Sequence, residues 1–329
     1  MYNSNFHQTD LSKLSFLITG GAGFIGSNIV EYLVKYKAGK IRILDNLSNG
    51  FEENIAPFVK LPNVEFIKGD ITNYETCVNA CKGIDYVSHQ AALGSVPRSI
   101  SAPIPTNDAN VCGFLNMLTA AKESGIKRFV YASSSSVYGD SKQLPKIEEN
   151  IGAALSPYAV SKYVNELYGN VFYKTYGIET IGLRYFNIFG PRQNPQGPYA
   201  AAIPLFMSAL LKNQNPQIHG DGNQTRDFTF VENAVQANIK ALFTSESGAC
   251  GQAYNIAVGE RISINDMFNI IKKAANASAM PVYVEERKGD VRDSLANISK
   301  AERLLNYKPG VKFEQGLKPT LDWFKSMNF

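Results

Sequence analysis

A single segment, FLITGGAGFIGSN at residues 16–28, constrains this chain more than any other feature. An apolar run at 16–19 ends in glycines, and an amphipathic stretch follows at 25–36, with Gly39 placed to stop it. Gly21, Gly23 and Gly26 satisfy G-x-G-x-x-G, while Gly20, Gly23 and Gly26 satisfy the related G-x-x-G-x-x-G. The chemistry is the same in either register. Such a turn needs backbone angles open to glycine, and a diphosphate must reach the main chain without a side chain in its way. Gly26 lets the helix sit against the strand, and the helix start presents N–H groups to the anion.

Glycine-rich turns are common, so the context carries the argument. A second strand at 41–44 leads into Asp45, 19 residues after Gly26. That spacing suits a carboxylate accepting from the adenosine ribose hydroxyls, and its charge would repel a 2′-phosphate, so NAD is expected rather than NADP. Asp70, closing a third strand at 64–68, is placed to reach the adenine. Further strands at 86–89, 129–133 and 180–185 alternate with helical patterns at 74–81, 107–123 and 157–176. This rhythm predicts a Rossmann-type, doubly wound parallel α/β sheet over residues 15–190, after a polar N-terminal extension at 1–14. From GPRQNPQGPY onward the texture changes, with helical runs near 203–211, 231–243, 264–275 and 317–324. Residues 191–329 read as a smaller, mixed α/β substrate lobe, with some chain returning to the sheet.

A second motif supplies chemistry. Tyr158 and Lys162 form Y-x-x-x-K in SPYAVSKYVNEL. Residues four apart share a helix face, so the ammonium can stand near the phenol and the cofactor ribose. A phenol titrates near about 10, and an adjacent cation favours its ionised form, making it a usable base. Tyr36 and Lys40 show the same spacing but straddle Gly39, where the helix ends. A run of serines, Ser133 to Ser136, stands at the C-terminal end of the 129–133 strand, where open α/β sheets bind ligands. The three histidines show no metal spacing, and no G-x-S-x-G elbow occurs.

Taken together, TGGAGFIGSN, HQAA (89–92), SSSSVYG (133–139), SPYAVSK, LRYFNIFGPRQ (183–193), GDGNQTRDF and ERKGDVRDSLANISKA resemble the extended short-chain dehydrogenases. The resemblance is nearest to UDP-N-acetylglucosamine 4-epimerases, relatives of UDP-galactose 4-epimerase. It implies Tyr158 as general base, Lys162 as its electrostatic partner and Ser134 as the triad serine. Gly20, Gly23, Phe24, Ile25, Gly26, Asp45, Asn46, Asp70, Ile71, Gln90, Ala91, Ala92, Asn110, Tyr185 and Ile188 are the implied NAD contacts, with Tyr158 and Lys162. Gly94, Ser95, Ser134, Ser135, Ser136, Asn187, Gln193 and Ala201 are the implied sugar-nucleotide contacts. Arg226, Arg287 and Asp290 are implied for its diphosphate and uridine end.

The same resemblance discriminates between reactions. Relatives that eliminate water carry Asp-Glu after the triad residue, and decarboxylases a Glu at the second of those positions. Here Ser135 and Ser136 stand there, so epimerisation, which needs no further acid–base pair, is the expected reaction. Ser294 replaces the tyrosine of epimerases that exclude N-acetyl groups, which implies a UDP-N-acetylhexosamine substrate. The alternatives are a 4-epimerase of UDP-glucose or of UDP-uronic acids, since Arg98 could complement a carboxylate, and a non-enzymatic NAD-binding sensor.

Composition adds exclusions. A formal charge of +4 over 329 residues gives no reason to expect a nucleic-acid partner. No apolar stretch approaches membrane-spanning length, no signal peptide is apparent, and a cytoplasmic protein is expected. Cys77, Cys81, Cys112 and Cys250 are too scattered for a disulfide scaffold, and Cys77 and Cys81 read as reduced packing residues. A homodimer through the helices at 107–123 and 157–176 is implied by the resemblance.

Overall fold

The first strand, β1 (Ser15–Thr19), is almost wholly buried and pairs on both sides, with β2 (Lys40–Asp45) and with β4 (Tyr86–His89). The computed structural model describes residues 1–195, 201–286 and 292–327. Beyond β2 lies β3 (Val64–Lys68); beyond β4 lie β5 (Arg128–Ser134), β6 (Glu179–Tyr185) and β7 (Gln252–Ile256). All seven strands are parallel, in the order 3-2-1-4-5-6-7. The chain winds outward through β2 and β3, then crosses to β4 and winds the other way. The reversal opens a crevice between the ends of β1 and β4, where Thr19 stands opposite His89.

Helices cover both faces. On one side, α1 (Phe24–Lys35) and α6 (Val231–Phe243) bury Ile29, Val30, Leu33, Ile239 and Leu242 against the sheet. On the other, α2 (Tyr74–Cys81), α3 (Gly113–Glu123) and α4 (Pro157–Tyr176) enclose Leu17, Phe114, Phe129 and Tyr131. Cys77 and Cys81 lie inside this second cluster, and burial pushes both thiols up to about 12, so they pack as inert apolar groups. A third core, in the smaller lobe, joins α5 (Ala202–Leu211), α7 (Ile264–Ala275) and α8 (Phe313–Ser326) around Phe206, Phe228, Phe268 and Phe324.

Three features add to the sequence expectations. The 107–123 stretch is helical throughout but irregular: a short helix, Pro103–Asn107, runs through a π-type turn, Asp108–Cys112, into α3. The first residues, polar in overall composition, do not trail free. Tyr2, Phe6 and Leu11 are buried, Phe6 stacks on Tyr32 of α1, and the Tyr2 hydroxyl donates to Asn28. A fully buried aromatic of this kind contributes about 1.5–3 kcal/mol, enough to hold a short segment down. The third is β7, a strand from the second half of the chain that extends the sheet beyond β6.

Candidate functional site

At the crevice, the β1–α1 turn brings backbone to backbone. Gly20 has φ of 64°, and a Cβ there would meet the Ala91 nitrogen at 2.7 Å. At Gly26 a Cβ would meet the Gly20 carbonyl oxygen at 2.2 Å, so helix and turn close only without side chains. Helix α1 starts at Phe24 with Gly23 as its cap and no side-chain acceptor on its first N–H groups. These donors line a cleft of about 1080 Å³ that runs across the ends of β1, β2, β4, β5 and β6.

The Asp45 carboxylate, almost buried, accepts from Ala22 N at 2.9 Å and from Leu47 N at 2.8 Å. Burial raises its pKa, and the backbone donors oppose that rise. Each oxygen keeps a lone pair for a ligand hydroxyl, so Asp45 both braces the glycine turn and faces the cleft. Asp70 accepts from Thr72 and from the Asn46 amide at 2.7 Å. Burial alone would raise its pKa, but these bonds hold it below the usual carboxylate value.

Of the expected cofactor contacts, all except Asn110 line this cleft. Asn110 is buried in the π-type turn, where its amide is committed to the Leu93 main chain and to Ser161 Oγ, 3.1 Å away. It fastens the 90–95 loop, which lines the cleft, to α4.

The residues expected to form the catalytic trio are brought together by β5 and α4. Ser156 caps α4, its hydroxyl accepting from Ala159 N, and Pro157 occupies the first turn, where its missing N–H costs nothing. Tyr158 and Lys162 then project inward. Lys162 Nζ donates to the Ala132 carbonyl at 2.9 Å and lies 5.9 Å from the Tyr158 ring centroid. Ser134 faces the Tyr158 phenol. The expected acidification is not seen in the protein alone. Burial raises the Tyr158 pKa, opposed by the Ser134 hydrogen bond, and burial pushes Lys162 down to about 8.

A second pocket, of about 230 Å³, opens beside Tyr158 and is lined by Ser134, Ser135, Ser136, Lys146, Asn187, Arg226, Asp293 and Ser294 among others. Ser136 Oγ is buried without a hydrogen-bond partner. Asp293, the one carboxylate among its described lining residues, accepts from Thr225 N and Oγ1. A third pocket, of similar size, is lined by Gln193, Ala201, Phe206, His219, Gln224 and Arg226 among others. Asn187 borders all three spaces, in a left-handed conformation (φ 39°) fixed by its amide donating to the Asp227 carbonyl. Gln193 Oε1 is buried with no partner, and the Arg226 guanidinium donates to the Thr225 and Arg292 carbonyls. Gly94 and Ser95 lie on the cleft wall. Arg287 and Asp290 lie outside the described residues.

Arg98, expected as a partner for a carboxylate, reaches over the cleft to Asn49 Oδ1 at 2.8 Å. Two other residues escaped sequence reasoning. Asn238 of α6 bonds to Tyr185 and Gln90. Lys146, nearly buried, joins the second pocket from the far side of the β5 loop. Their partners are distant in the chain, and no spacing signals them.

A glycine-cradled cleft at a sheet reversal, with tyrosine, lysine and serine at its centre, defines a dinucleotide-dependent enzyme of the short-chain dehydrogenase type. Residues 16–257 match the NAD dependent epimerase/dehydratase family, and the chain belongs to it. It is 40% identical over 315 residues to a putative UDP-glucose 4-epimerase of Methanocaldococcus jannaschii, covering 95% of this chain and 99% of the relative. A UDP-N-acetylglucosamine 4-epimerase of Methanobrevibacter ruminantium, solved with UDP-N-acetylmuramic acid, superposes with a TM-score of 0.90 at 40% identity, covering 95% and 99% of the two chains. A UDP-glucuronic acid 4-epimerase of Bacillus cereus, solved with UDP-glucuronic acid and NAD, gives 0.88 at 31% identity, covering 95% and 99%. NAD is the cofactor of this chain, and the side-chain-free cradle at Gly20 and Gly26 fits its diphosphate. Among the described residues no cluster could hold a metal ion, and no helix is long and apolar enough to cross a membrane.

Proposed function

We propose that this protein inverts C4 of a UDP-N-acetylhexosamine, interconverting UDP-GlcNAc and UDP-GalNAc through a 4-keto sugar. The observation that carries this reading is the make-up of the pocket beside Tyr158. Ser135 and Ser136 stand where elimination would need carboxylates, and Asp293 is already bound to Thr225. One base is therefore at hand, which suffices for oxidation and reduction at a single carbon. Ser294 borders the same pocket and leaves room for an acetamido group.

In this reading, Ser134 orients the 4-hydroxyl and Tyr158 takes its proton, returning it after the sugar has turned over. NAD, when bound, supplies reversible storage for the two electrons. Lys162 holds positive charge beside the phenol. Asn187 and Gln193 position the sugar, whose rotation requires a loose grip, while Arg226 pairs with the diphosphate and anchors the ligand. The third pocket takes the nucleoside end.

A second reading, a uronic acid substrate, draws on Lys146, a cation lining the sugar pocket. The test is to incubate the purified protein with UDP-GlcNAc, UDP-glucose and the uronate of UDP-GlcNAc separately, without added reductant. Interconversion of the acetylated pair alone is expected, and it should vanish in Tyr158→Phe while NAD is retained. Turnover of the uronate alone would favour the second reading; a 4-keto-6-deoxy product would overturn both.

We also infer a homodimer. The outer face of α4 exposes Val160, Tyr163, Leu167 and Val171 at helical spacing, beside Ile100 and Ile104. Apolar side chains so arranged on one helix face suit a helix-to-helix interface between two copies.

A further inference from the structure

Helix α4 presents one residue per turn to the last three residues of β5. Tyr158 faces Ser134, Lys162 donates to the Ala132 carbonyl at 2.9 Å, and Glu166 accepts from Ser133 Oγ at 2.5 Å. The catalytic reading uses the first two turns and leaves the third without a role. Glu166 is nonetheless the most heavily bonded side chain on the helix. Arg184 of β6 grips it with Nε at 2.9 Å and Nη2 at 2.8 Å. Arg184 is held in turn by the Tyr138 hydroxyl at 3.0 Å and the Glu148 carbonyl at 2.8 Å, and Tyr138 donates to Asn255 at 2.6 Å.

Only 8% of the Glu166 side chain and 5% of the Arg184 side chain is exposed. Buried pairs of this kind are costly to desolvate, and an apolar pair of equal volume often stabilises a fold as well or better. Stability alone therefore gives a weak reason for a carboxylate here. Its position gives a better one. Residues four apart on a helix share a face, so Glu166 lies one turn from Lys162, in a region of low dielectric where charges act strongly.

We propose that Glu166 is a positioning residue for the tyrosine–lysine pair: fixed by Arg184 and Ser133, its carboxylate keeps Lys162 charged and seated on the Ala132 carbonyl. The proposal rests on the oxidoreductive use of Tyr158 and Lys162 described above. The surroundings of Lys162 agree with it. Burial drives Lys162 down to about 8, and Glu166 is the group that opposes this. On β4, His89 is kept neutral by burial and by the Lys162 charge. On β5, Tyr131 is buried and protonated, as is Tyr138 in the following turn. Arg184 of β6 is committed to Glu166, Tyr158 is on the same helix, and Arg98 and Asp108, on segments packed against that helix, line the same cleft.

The test reads Lys162 directly, by NMR of protein carrying ¹³Cε-labelled lysine, with its signal identified by its loss in Lys162→Arg. In Glu166→Gln the Lys162 titration midpoint is expected to fall by about one unit or more, roughly a tenfold change in its proton affinity. The alkaline limb of the turnover profile should move with it. Because Glu166→Gln strands a buried Arg184, the Glu166→Gln/Arg184→Met double variant removes both charges; its shift should also be downward but smaller, since loss of the Arg184 charge acts in the opposite sense. An unmoved midpoint in either folded variant overturns the proposal, as does loss of turnover by one factor at every pH. Should the protein convert no UDP-sugar at all, the reaction assigned above fails, while the Lys162 titration still decides the role of Glu166.

Discussion

The Asn238 amide donates to the Tyr185 phenol at 2.7 Å, tying helix α6 to the end of strand β6 at the floor of the cofactor cleft. Tyr185 donates onward to Gln90 Oε1 at 3.0 Å, and the Gln90 amide returns to Ser88 and Asn238. Asn238→Leu removes one member of this closed ring and leaves buried polar atoms unpaired. The expected cost is about 1–3 kcal/mol of stability, read by urea denaturation, with weakened NAD retention read by cofactor content after gel filtration. A variant with unchanged stability and full NAD content would show that the ring does not brace the cleft.

His89 gives the fold a pH dependence of known sign. Burial, then the Lys162 charge, pushes its pKa from 6.5 to about 3, and Nδ1 lies 2.9 Å from Thr19 Oγ1. The folded state therefore resists protonation that the unfolded chain accepts. Stability from this residue is complete above 6.5 and is lost as pH falls toward about 3. His89→Gln should flatten the acid limb of a stability–pH curve measured by urea denaturation. An equally steep limb in the variant would assign the acid loss to other groups.

Ser294 is a specificity test. Its side chain borders the pocket that holds Tyr158 and Asn187, and its nitrogen donates to the Thr225 carbonyl at 3.1 Å, which fixes the backbone. Ser294→Tyr fills that space without altering the base. Turnover of the acetylated sugars should drop at least about tenfold in kcat/KM, while turnover of UDP-glucose and UDP-galactose is spared or raised. Equal losses for both pairs would remove Ser294 from substrate selection.

The outer face of α4 makes a prediction about assembly. Leu167 and Val171 are each 50% exposed, so neither is needed for the internal core. Leu167→Glu/Val171→Glu places two charges on the inferred interface, where desolvation would cost several kcal/mol. Sedimentation should show a dimer for the native chain and a monomer for the variant at the same concentration. A monomeric native chain would dismiss the interface outright.

What the sequence discloses here is what local spacing can encode. The glycine turn, the position of Asp45, and the tyrosine–lysine pair are read directly because each is a short-range pattern on one strand–helix unit. Strand β7 is different. Its QAYNI sequence has two polar side chains and no clear alternation, and its place beside β6 is set by partners some seventy residues earlier in the chain. Asn110 is a related case: spacing places it near the cleft, but its bonds to the Leu93 main chain and to Ser161 come from the folded chain. The buried network around Glu166 and Arg184 is invisible for the same reason as Asn238, because four separate elements supply its members. Even the electrostatics of Tyr158 follow this rule. Proximity to Lys162 is encoded by spacing, but the depth of burial that governs the phenol is a property of the whole fold.

Strand β7 also bears on how the polypeptide is made. Because it docks on β6 from the second half of the chain, a nascent polypeptide that has emerged only through β6 displays a long row of unmet main-chain groups along its last strand. Synthesis has to run past residue 256 before β6 is paired on both sides and the edge passes to the shorter β7, which places the vulnerable interval for mispairing late in translation. Shortened versions that stop ahead of this strand should accordingly clump rather than behave as miniature nucleotide-binding units.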